Sequence, residues 1–438
     1  MIYEYDETRE VFLPRATDRL ETEIVQTMLT APVHSSGLLD SPSHPSEVPM
    51  VHSSEATKLM DAAKALRPRI LADRERIEAG RRLPEDLARE LARAGFFRIY
   101  LPAAYGGLDL TPLAATEIFE ELARADASVA WCVWNGNTYW TTTRWPKEVA
   151  EAIFADPNVI LANSTRPSGR AMVVEGGYRV SGRWSLVSGC QLSAWFILMC
   201  IVHENGKPRL LQSGEPESRF MLCPAADCDI VDTWSVSGLR GTGSHDVAVQ
   251  DRFVPASYAS FHTDPLVLTD PRYQLPHSSR ITPGLGAMAL GIARSAIEAL
   301  IDLAGAKRHE RTNQSLSQDR GAQTRLAQAE ALVSSARLFL FDTVERVWHE
   351  ALAGREATVE ARVLSRLASW HAVTSACQAV DLVYLTGGAT SLYESCPIER
   401  AFRDVHAITQ HIGVHPRLLE TTGRVLFGLE PDVPKFML

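Results

Sequence analysis

The chain has 438 residues, 45% hydrophobic and 22% charged, the balance of a globular protein long enough for two or three domains around a large core. Its formal net charge is −9 and no block of Lys and Arg stands out, which argues against nucleic-acid and anionic-membrane partners. The acidic opening Met1-Ile2-Tyr3-Glu4-Tyr5-Asp6 is unlike a secretory signal, no uncharged apolar run approaches a membrane span, and seven scattered cysteines suit reduced thiols, so a cytoplasmic protein is expected.

In chain order, residues 1–30 mix alternating charge with some apolar periodicity and predict at most one short helix. Residues 31–54 are rich in Pro, Ser and His and bury little, so 1–55 reads as a flexible arm and linker. Ala56 to Ala94 carries Ala, Leu, Arg and Glu at helical spacing, interrupted at Gly80 and Pro84. Thr111-Pro112 supplies an N-cap and a first-turn proline for a helix reaching Ala125, and Ala127–Trp140 predicts another, which makes 56–158 an N-terminal helical domain. Residues 159–275 hold short β-branched and aromatic runs between Gly, Pro, Asn and Asp turns, the pattern of a small β-domain. Long amphipathic helices follow at 283–307, 318–353, 356–386, 398–412 and 416–427, so 276–438 is expected as a helical bundle.

The motifs are first weighed on their residues alone. Gly238-Leu239-Arg240-Gly241-Thr242-Gly243-Ser244 is no dinucleotide fingerprint, because His245-Asp246-Val247-Ala248-Val249 continues it as a strand where a helix is required. Ser244-His245-Asp246 is no hydrolase triad, since neighbours on a strand point to opposite faces. Cys223 and Cys228 lack a second ligand pair, and His406 and His411 are wrongly spaced for one helix face, so no metal site is expected. The run from Trp131 to Trp140 is dense in aromatics, with core packing and the wall of an aromatic-substrate pocket equally open. By spacing alone His411 is a histidine satisfied by packing or one hydrogen bond.

Together, several segments resemble the acyl-CoA dehydrogenase superfamily. Residues 387–404, GGATSLYESCPIERAFRD, are similar to its Gly-Gly, proline and Glu-Arg-x-x-Arg-Asp pattern, and the loop GFFRIYLPAAYGG at 95–107 and the helix–β–helix order agree. The resemblance covers about residues 56–430 and implies an α+β fold: an N-terminal helical domain, a central β-barrel-like domain and a C-terminal four-helix bundle. Dehydrogenases of this family need a carboxylate base. One of its usual positions holds Ile412 here, and the other, on the first bundle helix, has no Asp or Glu from Pro271 to Ile297.

The segments EGGYRVSGRWSLVSG (175–189) and DTWSVSGLRGTGSHDVAVQDRFVP (232–255), with a histidine after Arg403-Asp404, are similar instead to the two-component flavin-dependent monooxygenases of the fold. That resemblance implies a reduced flavin, FMNH2 or FADH2, reacting with O2 through a C4a-hydroperoxide to oxygenate a small electron-rich substrate. It assigns His411 to orienting or protonating the peroxy-flavin and Ser188 to a hydrogen bond with the isoalloxazine. Ser164, Thr165 and Trp184 would also meet the flavin, Gly387 and Gly388 would lie close to it across a subunit interface, and Arg308 or Arg311 would reach its phosphate. Arg403 and Asp404 would stabilise the end of the bundle. Trp134, Asn137 and Thr138 would line the substrate pocket. Thr138 stands where phenol hydroxylases place a second histidine, which leaves indoles, amines, sulfides and polyketide rings open. With no NAD(P)H fingerprint in the chain, a separate flavin reductase is implied, and a homotetramer is the family's usual assembly. The alternatives are an FAD-dependent acyl-CoA dehydrogenase-type desaturase and a catalytically inactive scaffold.

Overall fold

The computed structural model describes residues 3–6, 11–14, 53–137, 141–308 and 313–433, in two compact units, Met1–Val51 and His52–Leu438. In the first unit, β1 (Tyr3–Asp6) pairs antiparallel with β2 (Val11–Pro14), Tyr5 opposite Phe12. This hairpin stands where at most a short helix was expected: Tyr3, Tyr5, Val11 and Phe12, aromatic or β-branched, make up half of two four-residue runs, which suits a pleated pair better than a helix. The rest of the expected arm up to His52 lies outside the described residues.

The second unit opens with helices α1 (Ser54–Ala72), α2 (Arg74–Gly80), α3 (Glu85–Ala94), α4 (Pro112–Ala125), α5 (Ala127–Gly136) and α6 (Lys147–Ile153). Local chemistry sets their starts. Ser53 accepts from the Ala56 amide at 3.2 Å, and Thr111 accepts from the Ala114 amide at 3.2 Å ahead of Pro112. Asp126 breaks α4 with an extended backbone and caps α5, taking the Ser128 and Val129 amides at 2.9 and 3.0 Å. That corner aims α5, and its tryptophans, at the sheet and the bundle.

The sheet comprises β3 (Leu161–Val174), β4 (Gly177–Val187), β5 (Trp195–Glu204), β6 (Lys207–Pro208), β7 (Ser218–Pro224), β8 (Asp229–Val231), β9 (His245–Pro255) and β10 (Ala259–Ser260). Its order is β10-β7-β5-β3-β4-β9-β8, with β6 on the edge of β5, and β3 pairs parallel with β5 while the other pairs are antiparallel. Two register shifts matter for function. One lies between Ser164 and Gly169 on β3, and one between Trp184 and Val187 on β4. Such bulges bend a strand and re-aim its side chains.

The C-terminal helices are α7 (His277–Ala306), α8 (Arg320–Leu352), α9 (Val359–Gly387), α10 (Pro397–Ile408) and α11 (Arg417–Leu426). By length and composition α7 is apolar enough to cross a membrane, yet 72% of its most apolar window is buried within the protein. Leu285, Met288, Leu290, Ala293 and Ile297 join it to the core formed by α4, α5 and α9. It is the central helix of the bundle, and its apolar composition follows from burial on several sides.

Candidate active site

Trp131 and Trp134 lie three residues apart on α5, and that spacing brings both indoles to one face. Their ring centroids are 5.2 Å apart. The half-buried imidazole of His411, from the turn after α10, meets both rings edge-on, at 5.6 Å from Trp131 and 5.5 Å from Trp134. His411 caps a short 3-10 turn, its Nδ1 accepting the Gly413 N–H at 3.0 Å. A nitrogen that accepts carries no proton, so the neutral ring holds its hydrogen on Nε2. Burial, aided by the positive charge of Arg166, pushes the imidazole down to about 4. At neutral pH His411 is therefore an uncharged Nε2–H donor.

Trp131 reaches the sheet as well: its Nε1–H donates to Ser188 Oγ at 3.0 Å. Ser188 Oγ lies 2.7 Å from Ser244 Oγ, which lies 2.7 Å from Thr242 Oγ1, and Thr242 donates to the Leu239 carbonyl at 2.9 Å. The Leu239 amide in turn donates to the buried carboxylate of Asp404 at 2.6 Å, while Arg403 Nη1 donates to the Ser237 carbonyl at 2.6 Å. The Gly238–Ser244 turn is thus bolted to α10. Behind it Arg400 pairs with Asp126 at 2.7 Å and Glu78 at 3.3 Å. Burial lifts Asp404 to about 7 against the opposing pull of Arg400. Buried charges of this kind hold their geometry only as a paired set.

Of the residues singled out in the sequence, the structure brings His411, Trp134 and Ser188 together, with Trp131 joining them. Ser164 is buried at the start of the β3 bulge and accepts the Arg166 amide at 3.4 Å, while Thr165 is exposed within the bulge. Two candidates lie in the interior. Trp184 is fully buried, its Nε1–H spent on the Met199 carbonyl at 2.6 Å, and it packs in the core of the sheet with Phe196 and Cys200 rather than at a surface a flavin can reach. Asn137 is likewise interior. Its amide donates to the Phe96 and Val133 carbonyls, both at 2.7 Å, and its oxygen accepts from Ile99 at 2.7 Å and Tyr100 at 3.4 Å. With donors and acceptor spent, Asn137 pins α5 to the 96–100 loop and has nothing left for a substrate. Thr138 and Arg311 lie outside the described residues.

Gly387 and Gly388 form a second group at the end of α9. A cation there is Lys307, which donates to the Gly387 carbonyl at 2.7 Å and to Thr390 Oγ1 at 2.9 Å, while Arg308 is exposed and its Nη1 donates to the Asn313 carbonyl at 3.4 Å. Sequence reasoning missed Lys307, Arg166, Thr242 and Ser244. Only Ser244 and Thr242 carried a signal, as hydroxyls in a glycine-rich turn, and that turn was set aside because a strand follows it where a dinucleotide fingerprint needs a helix.

A serine hydroxyl, a neutral imidazole N–H and a nearby guanidinium together suit a polar, electron-rich ring such as a reduced flavin. The acyl-CoA dehydrogenase N-terminal domain family matches residues 53–145 and the acyl-CoA dehydrogenase C-terminal domain family residues 284–416. Indole-3-acetate monooxygenase of Pseudomonas putida is 30% identical over 80% of this chain and 89% of its own length. The FADH(2)-dependent resorcinol hydroxylase, oxygenase component, of a Rhizobium strain is 30% identical over 81% of this chain and 90% of its own. The crystal structure of the HsaA monooxygenase from M. tuberculosis superposes with a TM-score of 0.79 at 28% identity, covering 87% of this chain and 100% of that one. The chain belongs to the acyl-CoA dehydrogenase family, in its flavin-dependent monooxygenase branch, and is an oxidoreductase of that kind.

Proposed function

We propose that the chain is the oxygenase component that takes reduced flavin from a separate reductase and uses O2 to oxygenate a small aromatic or indolic substrate. The observation that carries this reading is the convergence of neutral His411 and buried Ser188 on Trp131, at 5.6 Å between ring centroids and 3.0 Å between Nε1 and Oγ. Reduced flavin, when bound, supplies the electrons that let O2 oxygenate a substrate. The protein's share is to hold the ring, keep water out and place a proton donor. In this reading Ser188 hydrogen-bonds the ring and His411 Nε2–H faces the oxygen-bearing side. Trp131 and Trp134 form the apolar wall that excludes water. An imidazole near 4 does not take up a proton at neutral pH, so it stays a single-proton donor.

The two indoles and the names of the relatives both favour a flat aromatic substrate over an acyl thioester. In this reading Gly387, Gly388 and Lys307 lie beside the distal part of the flavin, since an ammonium suits a phosphate. FADH2 is preferred over FMNH2 on the resorcinol hydroxylase's name alone. For assembly, a groove of about 600 Å³ between α8 and α9, lined by Ala331, Leu332, Leu382 and Leu385 together with Gln328, Ser335, Gln378 and Asp381, supports packing of copies into a homotetramer. The test is anaerobic mixing with reduced flavin followed by O2 in a stopped-flow absorbance instrument. A near-ultraviolet band that outlives the reaction in free solution supports the oxygenase. Immediate return to oxidised flavin, with and without an indole or phenol present, refutes it.

A further inference from the structure

The geometry points to Thr242 and Ser244 as positioning residues that set the hydrogen-bond polarity of Ser188, making it an acceptor toward whatever lies in front of it. The argument is proton counting. Ser188, Ser244 and Thr242 are 5%, 3% and 1% exposed, so solvent supplies them few partners. A hydroxyl has one proton and two lone pairs, an indole N–H only donates, and a carbonyl only accepts. At one end of the ladder Trp131 donates to Ser188; at the other Thr242 donates to the Leu239 carbonyl. Since Thr242 has spent its proton, Ser244 donates in the 2.7 Å contact with Thr242. Since Ser244 has then spent its own, Ser188 donates in the 2.7 Å contact with Ser244. One lone pair of Ser188 takes the Trp131 proton, and what remains is a single lone pair.

A lone pair recognises an N–H and repels another lone pair. The isoalloxazine N5 carries a hydrogen in reduced flavin and a bare lone pair in oxidised flavin, so the ladder favours the reduced ring. This rests on the reading that the flavin lies against Ser188 with its N5 toward that hydroxyl. The Leu239 carbonyl also accepts from the Thr242 amide at 3.1 Å and Trp234 Nε1 at 3.2 Å, and the Thr242 hydroxyl is its shortest contact at 2.9 Å; the reverse polarity would give up that contact and turn the Ser188 proton outward, so the Leu239 anchor biases the ladder. The Leu239 amide is itself held by Asp404 at 2.6 Å, and the Thr242 carbonyl by the Gly189 amide at 2.8 Å, which fixes both ends of the anchor.

The test is the ratio of dissociation constants for oxidised and reduced flavin, measured anaerobically with FAD and FADH2, and with FMN and FMNH2. Thr242→Val keeps the shape and removes the anchor, so the Ser244 proton turns to Ser188 and the Ser188 proton turns outward. The ratio is expected to fall about tenfold, equivalent to about 1.4 kcal/mol. Thr242→Ser, which keeps the hydroxyl, holds the ratio. Ser244→Ala takes away the acceptor of the Ser188 proton and gives the same fall by a different route, which keeps the test open if Thr242→Val folds poorly. An unchanged ratio in a folded Thr242→Val or Ser244→Ala protein overturns the polarity assignment. Failure of the unsubstituted protein to bind either redox state overturns instead the flavin reading on which it rests.

Discussion

His411 Nδ1 accepts the Gly413 N–H at 3.0 Å, leaving the single imidazole proton on Nε2 beside the two indoles of α5. His411→Ala removes that donor from beside the two indoles, and the fraction of O2 recovered as H2O2 should rise, with product per O2 down roughly tenfold or more. Peroxide and product assays on the reductase-coupled system check this; unchanged coupling removes His411 from the chemistry.

The same histidine gives a pH signature. Its folded value of about 4 lies below the ordinary 6.5, so as pH falls the unfolded chain takes up the proton first. Stability is fully present above 6.5 and is lost as pH falls toward about 4. Thermal melts of the wild type should therefore drop more steeply across that window than those of His411→Gln. Coupling should stay flat from about pH 8 to about pH 6, where an unperturbed imidazole titrates. An inflection there would mean that His411 is not held neutral.

Asp404 accepts the Leu239 amide and so braces the turn that carries Thr242 and Ser244. Asp404→Asn keeps an acceptor, whereas Asp404→Leu leaves a buried N–H unmatched and should cost about 1–3 kcal/mol in denaturant unfolding. Because burial lifts the carboxyl from 3.8 to about 7, its contribution is greatest at low pH and is lost as pH rises through about 7. Equal losses for the Asn and Leu variants would contradict the bracing role.

Trp184 is argued to be core, and Gly169 tests it. A Cβ on Gly169 would stand 2.0 Å from Trp184 Cζ2, too close for the sheet to absorb without moving the ring. Gly169→Ala should cost about 1–3 kcal/mol, and Trp184→Phe in the same chain should return part of it. Flavin affinity of folded Trp184→Phe should stay within about twofold, against a fall of roughly tenfold, or about 1.4 kcal/mol, if the indole N–H met the cofactor.

Gly388 has φ +58° and ψ −143°, a combination close to one that essentially only glycine adopts. Gly388→Ala should lower stability by about 1–3 kcal/mol. If Gly387, Gly388 and Lys307 lie beside the flavin, reduced-flavin affinity should fall with it. A stable variant with normal affinity would separate this turn from the cofactor.

The helical segments were legible because capping and spacing are local. Thr111-Pro112 and the long apolar run of α7 announce their helices in any context. The first residues were misread as at most a helix because two four-residue strands carry too little periodicity to tell apart. The burial of Trp184 and Asn137 was not legible for one reason: a motif places a residue near a site along the chain, but burial and hydrogen-bond saturation depend on what packs over it.

By itself the sequence determined the order of helices, strands and bundle, the family pattern at 387–404, and His411 and Ser188 as the residues to watch. Only the tertiary structure decided that Trp131 links those two, that Arg166 charges their surroundings, and that a ladder of three hydroxyls ends on the Leu239 carbonyl. Residue type and spacing are set along the chain. The direction of a hydrogen bond and the charge state of a buried imidazole are set by neighbours that are distant in sequence and meet only when the sheet, α5 and α10 close on one another.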